Sequence, residues 1–421
     1  MAKPRLSATT LKFLLAARQS QLRGLEALAT TSVLVGHVSR LVHALQKERG
    51  YSTLFLSGPQ AEMPAELVKL RGEAQDVETE ARRFLLDLEP DALRSADKTR
   101  LLHCISYALH RLDGVPDLRW QVRERKLPAQ EAGAGFTRLI ACLLSLVFEA
   151  ADSALDPDVT RVLVALFNFM QGKESSGQER ALGAMGYKAG YCGEAAKEHL
   201  SNLAENQRRS FDTFVQFADA QALSMWQDIQ QTCEPVHRLR EVLLKTSTVE
   251  PIDPGLAELW YDVCTAYIDA MRGIEQHLTE MLALQCQKRI AQAREELDDH
   301  QLLLSRFVDA ASEGALATVF DIQLRSIEAP LHDGLAHEME RSVLDMLRAQ
   351  TLRMQRAGSE LAQLRGALDE RRLVEQAKWL LVSQQGISEQ AAHDRLLRVA
   401  MDHGIVLGEV ARRILSSEDL A

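Results

Sequence analysis

Nowhere along the chain do apolar and polar residues alternate for as long as a half-buried strand requires. Apolar residues instead recur at three- and four-residue steps almost throughout. The stretch after Pro64, AELVKLRGEAQDVETEARRFLLDL, is typical. Proline and glycine gather at a few joints, 57–64, 89–92, 113–117, 128–135, 156–159 and 247–255, and leave the intervening segments to Leu, Ala, Glu, Gln and Arg. This pattern predicts an all-α fold of antiparallel helical bundles.

No proline follows Pro330. From there Val343, Leu347, Gln350, Met354, Ala357, Leu361, Leu364 and Leu368 keep a seven-residue rhythm. That seam suits either a long helix packed on its own bundle or a dimeric coiled-coil stalk, so a homodimer is expected if the second holds. The stalk leads into a small three-helix bundle punctuated by Gly386 and the DHG at 402–404.

Several classes are excluded. A formal charge of −10 argues against a chain that coats nucleic acid or hugs membranes. Six scattered cysteines without a CxxC pair predict neither a zinc ribbon nor a disulfide framework, and suit a reducing cytoplasm. No apolar run approaches the ~20 residues of a membrane span. Phosphate-loop, dinucleotide-binding, metalloprotease and serine-hydrolase fingerprints are missing, and His103 with His110 lacks the carboxylates of a metal site. The expectation is a protein that is not an enzyme and holds neither metal nor cofactor.

The segment LVHALQKERGYSTLFLSG, 41–58, breaks the pattern. Val38, Val42, Leu45, Arg49, Ser52 and Leu56 form one core-facing stripe with an arginine at its centre. A second segment, FNFMQGKESSGQERALGAMGY at 167–187, repeats the Lys-Glu and Glu-Arg steps and sets Arg180 on a small polar stripe with Ser176, Gly183 and Tyr187. A buried guanidinium is costly by several kcal/mol unless compensated. One answer is a structural ion pair with Glu48, Glu174, Glu179 or a residue of another helix. The other is a bound anion: two guanidinium forks facing each other suit a planar oxyanion such as nitrate, nitrite, carbonate or a carboxylate. Arg240, on a face with Val236 and Leu243, is a candidate third charge, with a solvated flank as its alternative.

QKERG followed by a Leu/Phe/Ser-rich turn, with KESSGQERA about 130 residues on, resembles the nitrate- and nitrite-sensing (NIT) domain over roughly 32–290. The resemblance implies an all-helical sensor whose motif arginines, here Arg49 and Arg180, hold nitrate or nitrite.

The last unit, ALDERRLVEQAKWLLVSQQGISEQAAHDRLLRVAMDHGIVLGEVARRILSS, resembles the ANTAR domain, a three-helix RNA-binding module of bacterial antiterminators, with Trp379 where many members carry Gly. Charge alone would not suggest RNA, because residues 367–421 hold seven Lys/Arg against nine Asp/Glu, a balance of −2. Arg371, Arg372, Lys378, Arg395 and Arg398 can still gather on one side of such a bundle, and His393 or Trp379 can stack on an unpaired loop base. Ala377, Leu380, Leu381, Ala392, Leu396, Ala400, Val410 and Ile414 read as its core.

Together the resemblances imply a cytoplasmic, nitrate- or nitrite-responsive antitermination regulator that binds a leader RNA hairpin. Its expected parts are a helical lead-in over 1–31, a sensor over 32–290, a helical linker over 291–365 and an RNA-binding unit over 366–421, with one long helix from about 256 to 365 carrying the signal. Two alternatives stand beside this reading: a helical scaffold with structural arginines, and a sensor whose last unit docks protein.

Overall fold

A computed structural model describes residues 8–58, 62–88, 99–312, 334–387, 389–403 and 405–416. Among them are thirteen α-helices and no strand: α1 (Ala8–Ser57), α2 (Ala65–Asp87), α3 (Thr99–Asp113), α4 (Val115–Arg123), α5 (Ala129–Ser153), α6 (Pro157–Ala189), α7 (Glu194–Phe217), α8 (Ala220–Thr232), α9 (Glu234–Lys245), α10 (Leu256–Ser312), α11 (Gly334–Gln385), α12 (Glu389–His403) and α13 (Leu407–Leu415).

The joints read from Pro and Gly separate these helices for local reasons. Pro157 occupies the first turn of α6, where its missing N–H is harmless, and the Asp156 carboxylate caps that turn by accepting from the Val159 N–H at 3.3 Å. Gly190 closes the same helix in the left-handed region at φ 81°. At 128–135 only Pro128 acts as a break. Gly133 and Gly135 lie inside α5, where the bare Gly135 lets the Leu118 side chain approach.

Two bundles stand side by side. The first packs α1, α2, α3 and α5 with the short α4, and the second packs α6, α7 and α10 with the short α8 and α9. Helices α1 and α6 meet in the seam between them, where α1 also packs on α10 and α5 on α6, and they run parallel, since His43 meets Lys173 and Gly50 meets Arg180. One core of Val38, Leu41, Leu45, Phe136, Ile140 and Leu143 continues across this seam to Phe169, Phe214 and Trp226. A second core centres on Trp260, Tyr187 and Leu243.

The expectation that no segment is apolar enough to span a membrane has one exception. Helix α5 passes by length and mean hydropathy (1.6), and 56% of that apolar window is buried inside the protein. Its apolarity comes from being enclosed by α1, α3 and α6.

Helix α1 runs unbroken through the expected lead-in, and ion pairs Arg18–Glu296 (2.9 Å) and Arg294–Glu26 (2.8 Å) tie its first half to α10. Helices α10 and α11 occupy most of the expected long helix, and residues 313–333 lie outside the described residues. So do the side chains of Val343, Leu347, Gln350 and Met354. Leu364 and Leu368, the last seam positions, are buried, and Leu368 joins the core of the bundles. The end of α11 packs with α12 and α13 around Val374, Ala377, Leu381, Ala392, Leu396, Ala400 and Val410. Trp379 stays outside this core, 59% exposed.

Gly183 of α6 faces the fully buried Trp260, and a Cβ there would stand 2.5 Å from the indole Cζ2 and Nε1. Gly183→Ala is expected to lower unfolding free energy by about 1–3 kcal/mol, measured by denaturant titration, because neither helix can move without opening the second core.

Candidate functional site

Arg49 and Arg180 are each 1% exposed, and each side chain crosses the α1–α6 seam. The glycines of the two motifs make this crossing possible. A Cβ on Gly177 would lie 2.6 Å from Arg49 Nη2, and a Cβ on Gly50 would lie 2.5 Å from Arg180 Nη2. Each motif therefore supplies one arginine and the clearance that the other arginine needs.

The surroundings repeat under an approximate twofold axis parallel to the two helices. Arg49 Nη1 donates to Thr137 Oγ1 on α5, and Arg180 Nη1 donates to Thr265 Oγ1 on α10, both at 2.9 Å. Beside Arg49, Glu48 accepts from Arg119 of α4 through both oxygens at 2.8 Å. Beside Arg180, Glu179 accepts from Arg240 of α9, Nη2 to Oε2 at 2.8 Å and Nε to Oε1. Burial works against both clamping guanidiniums, but the bonds and charges of their glutamates prevail and raise their pKa values.

The two halves differ in how the central charge is met. Glu174 binds Arg49 through Nη1, and Nη2 donates to Oε2 at 3.1 Å. The same carboxylate accepts from Gln46 and Gln178, each at 2.9 Å. Arg180 has no carboxylate partner among the described residues. Its Nη2 donates to the Gln46 carbonyl at 3.1 Å, and its guanidinium lies 4.8 Å from the Tyr261 ring centroid. The Nε of both arginines is buried without a hydrogen-bond partner among the described residues. A narrow crevice lined by Gly50, Thr53, Ser57, Ala181, Lys188 and Tyr261 runs along the same stretch of α1 and α6, and Arg180 itself does not line it.

Next to this pair lies a cationic cluster. Lys173, fully buried, donates to Glu275 at 2.6 Å and lies 3.1 Å from His43 Nδ1. Burial, followed by the charges of Lys173, Arg272, Lys47 and Arg180, pushes the His43 pKa down to about 2, so its imidazole is neutral and accepts from the lysine. Burial also lowers the Lys173 pKa, with Glu275 opposing it.

Of the residues singled out from the sequence, Arg49 and Arg180 thus come together, and Arg49 has Glu174, one of the partners considered. Arg240 is neither a solvated flank nor free to point at a ligand through its fork, because Glu179 holds it. Arg208, Arg209 and Arg238 pair with Glu205, Asp212 and Glu234 on the surface. Sequence reasoning missed Arg119, Thr137, Thr265, Tyr261 and His43. The separations 49–137 and 180–265 (88 and 85 residues) are the faint trace of the shared plan.

In the last unit, Arg372 pairs with Asp369 (3.0 Å) and reaches Asp152 of α5 at 3.8 Å. His393 Nε2 lies 3.0 Å from Asn206 Nδ2 of α7, and Arg398 donates to Glu198 of α7 at 2.8 Å. Lys378, 8% exposed, binds Glu375 of its own helix, and Arg395 is exposed beside Gln385. The Arg371 side chain lies outside the described residues. All six cysteines are free thiols, and the described residues contain no cluster of His, Cys, Asp and Glu suited to a metal.

Between pH 6.5 and the low folded value, the unfolded chain binds a proton at His43 that the folded chain does not, so stability falls as pH drops below about 6.5. The slope from this group is at most about 1.4 kcal/mol per pH unit. Melting curves between pH 7 and 5 should flatten in His43→Gln, leaving the smaller contributions of His37 and His199, whose pKa values burial also lowers.

Comparison with known proteins gives matches over both parts. Residues 40–283 match the family described as nitrate and nitrite sensing, and residues 362–415 match the ANTAR domain. The chain is 32% identical over 405 residues to a nitrate regulatory protein of Klebsiella oxytoca, covering 96% of this chain and 94% of that one. A solved structure of the NasR transcription antiterminator is similar at 28% identity and a TM-score of 0.61, over 98% of this chain and 100% of that one.

Proposed function

The chain belongs to the nitrate- and nitrite-sensing family and carries an ANTAR domain, and on that premise we propose that its crossed arginines receive the anion and its docked RNA-binding unit is the output they control. It is a nitrate- and nitrite-responsive regulator of transcription antitermination, not an enzyme.

The observation that carries the receptor assignment is the burial of Arg180 without a carboxylate among the described residues, beside an Arg49 that has one. A planar oxyanion matches the fork of each guanidinium, where a lysine would offer only a point charge. To engage Arg49 the anion takes the place of Glu174. That carboxylate also holds Gln46 of α1 and Gln178 of α6, so displacing it loosens both helices of the seam. Arg240 acts indirectly, by holding Glu179.

The output follows from the docking of the last unit. His393 and Arg398, two of the residues expected to meet RNA, are engaged by α7, and Arg372 is engaged in part by α5. This is a state in which a leader hairpin competes with the sensor for the same side chains. Nitrate favours release to the extent that it binds the open packing more tightly than the docked one. We place this action in the cytoplasm, with a homodimer formed through the early seam of α11.

Two measurements test the reading. Calorimetric titration with sodium nitrate should give saturable binding to the natural protein, and Arg180→Gln should weaken it at least roughly tenfold through lost charge-assisted hydrogen bonds. Undiminished binding by that variant would remove the receptor assignment. For the output, Glu198→Lys combined with Asn206→Ala changes only α7. Gel shifts with a leader hairpin should show nitrate-independent affinity raised by roughly 5- to 30-fold, as expected from weakening one exposed ion pair and one hydrogen bond.

A further inference from the structure

The approximate twofold that relates the arginines also relates their neighbours, with a constant offset of 131 positions between α1 and α6. Arg49 maps to Arg180 and Glu48 to Glu179, and Thr137 and Thr265 occupy matching places on α5 and α10. Under this operation Glu174, which neutralises Arg49 from six residues before Arg180, maps to position 43, six residues before Arg49. That position holds a histidine.

We infer that His43 is a ligand-positioning and affinity-determining residue of the anion site. It occupies the place of the missing counter-carboxylate, leaves the Arg180 charge for the ligand, and offers its Nε2–H to a bound oxyanion. The inference rests on the anion-site reading above and goes beyond it by assigning the half-site at Arg180.

Three independent features agree with this placement. His43, Gln46 and Gly50 are spaced i, i+3 and i+7, one face of α1, and the latter two already touch Arg180. Arg180 is among the cations that keep the His43 ring neutral. Lys173 occupies Nδ1 at 3.1 Å, which fixes the tautomer with the proton on Nε2. A neutral donor in this place lets an anion bind. A carboxylate there would supply the negative charge internally, as Glu174 does for Arg49, and a protonated imidazole would add a further positive charge to a cluster that already holds Lys173, Arg272, Lys47 and Arg180.

The test uses the full-length protein and sodium nitrate as the probe, with sodium chloride holding ionic strength constant. His43→Glu gives Arg180 its own counter-charge and should weaken nitrate binding at least tenfold while raising the thermal midpoint in nitrate-free buffer. His43→Gln, which keeps a neutral N–H donor, should bind within about threefold of the natural protein. His43→Leu, which keeps neutrality without a donor, should bind about tenfold more weakly. Should His43→Glu fail to fold, as judged by circular dichroism, the Gln and Leu variants decide.

Natural affinity in His43→Leu together with natural affinity in His43→Glu, or in His43→Leu alone if the Glu variant does not fold, overturns the inference. If Arg180→Gln loses binding while the His43 variants keep it, the anion site stands and only the role of His43 is wrong. If Arg180→Gln binds nitrate normally, the site itself is misplaced.

Discussion

Two buried guanidinium groups that cross the same helix seam impose the main constraint on this structure. Like charges in a poorly polarisable interior repel strongly, and each also loses its hydration. The protein answers with space and with counter-charge. Gly50 and Gly177 let α1 and α6 approach closely enough for each arginine to reach the opposite helix. Glu48 with Arg119 and Glu179 with Arg240 hold the flanks of the pair to the outer helices α4 and α9. Trp260 adds a bond from its indole N–H to the Arg180 carbonyl at 2.9 Å, which fixes α10 against the seam. Packing on both sides is therefore tied to the position of two charges.

That arrangement is symmetric in its scaffold and asymmetric in its charge. The threonine acceptors, the flanking clamps and the arginines recur in both bundles, whereas Glu174 has a histidine as its counterpart. A fully compensated pair would be a static ion-pair network, and a fully uncompensated one would oppose folding. One neutralised guanidinium beside one without a carboxylate among the described residues lies between these extremes, which is what the proposed anion site requires. In the proposed site an oxyanion brings the negative charge that the Arg180 half lacks, and one that also reaches Arg49 leaves the buried Glu174 carboxylate to Gln46 and Gln178.

The last unit meets the sensor through α12 on α7 and through α11 on α6 and α5. Its contacts with the sensor combine packing of α11 on α6 and α5 with polar pairs, of which the exposed Arg398–Glu198 pair contributes little individually. Leu368 alone among the last seam residues joins the sensor core.

Much of this was legible in the residues themselves. The three- and four-residue apolar period determined an all-α chain, because burying one face of a helix leaves a local signature. The stripes through Arg49 and Arg180 determined that both arginines turn inward, since helix geometry fixes which side chains share a face. Most of the core of the last unit, from Ala377 to Val410, was readable for the same reason, although Leu380, expected there, lies outside it. Partners were not readable, because they depend on which helices meet. Glu174 was one of several possible counter-charges, Arg240 gave no sign that Glu179 would hold it, and Arg119, Thr137, Thr265 and Tyr261 lie on other helices without a motif. The apolar run of α5 was underestimated, and its enclosure became visible only with its neighbours. Helical periodicity thus determined what is buried, while only the packing of α1 against α6 decided that Glu174 answers Arg49 and that Arg180 meets no carboxylate among the described residues, because a counter-charge comes from whichever helix lies opposite.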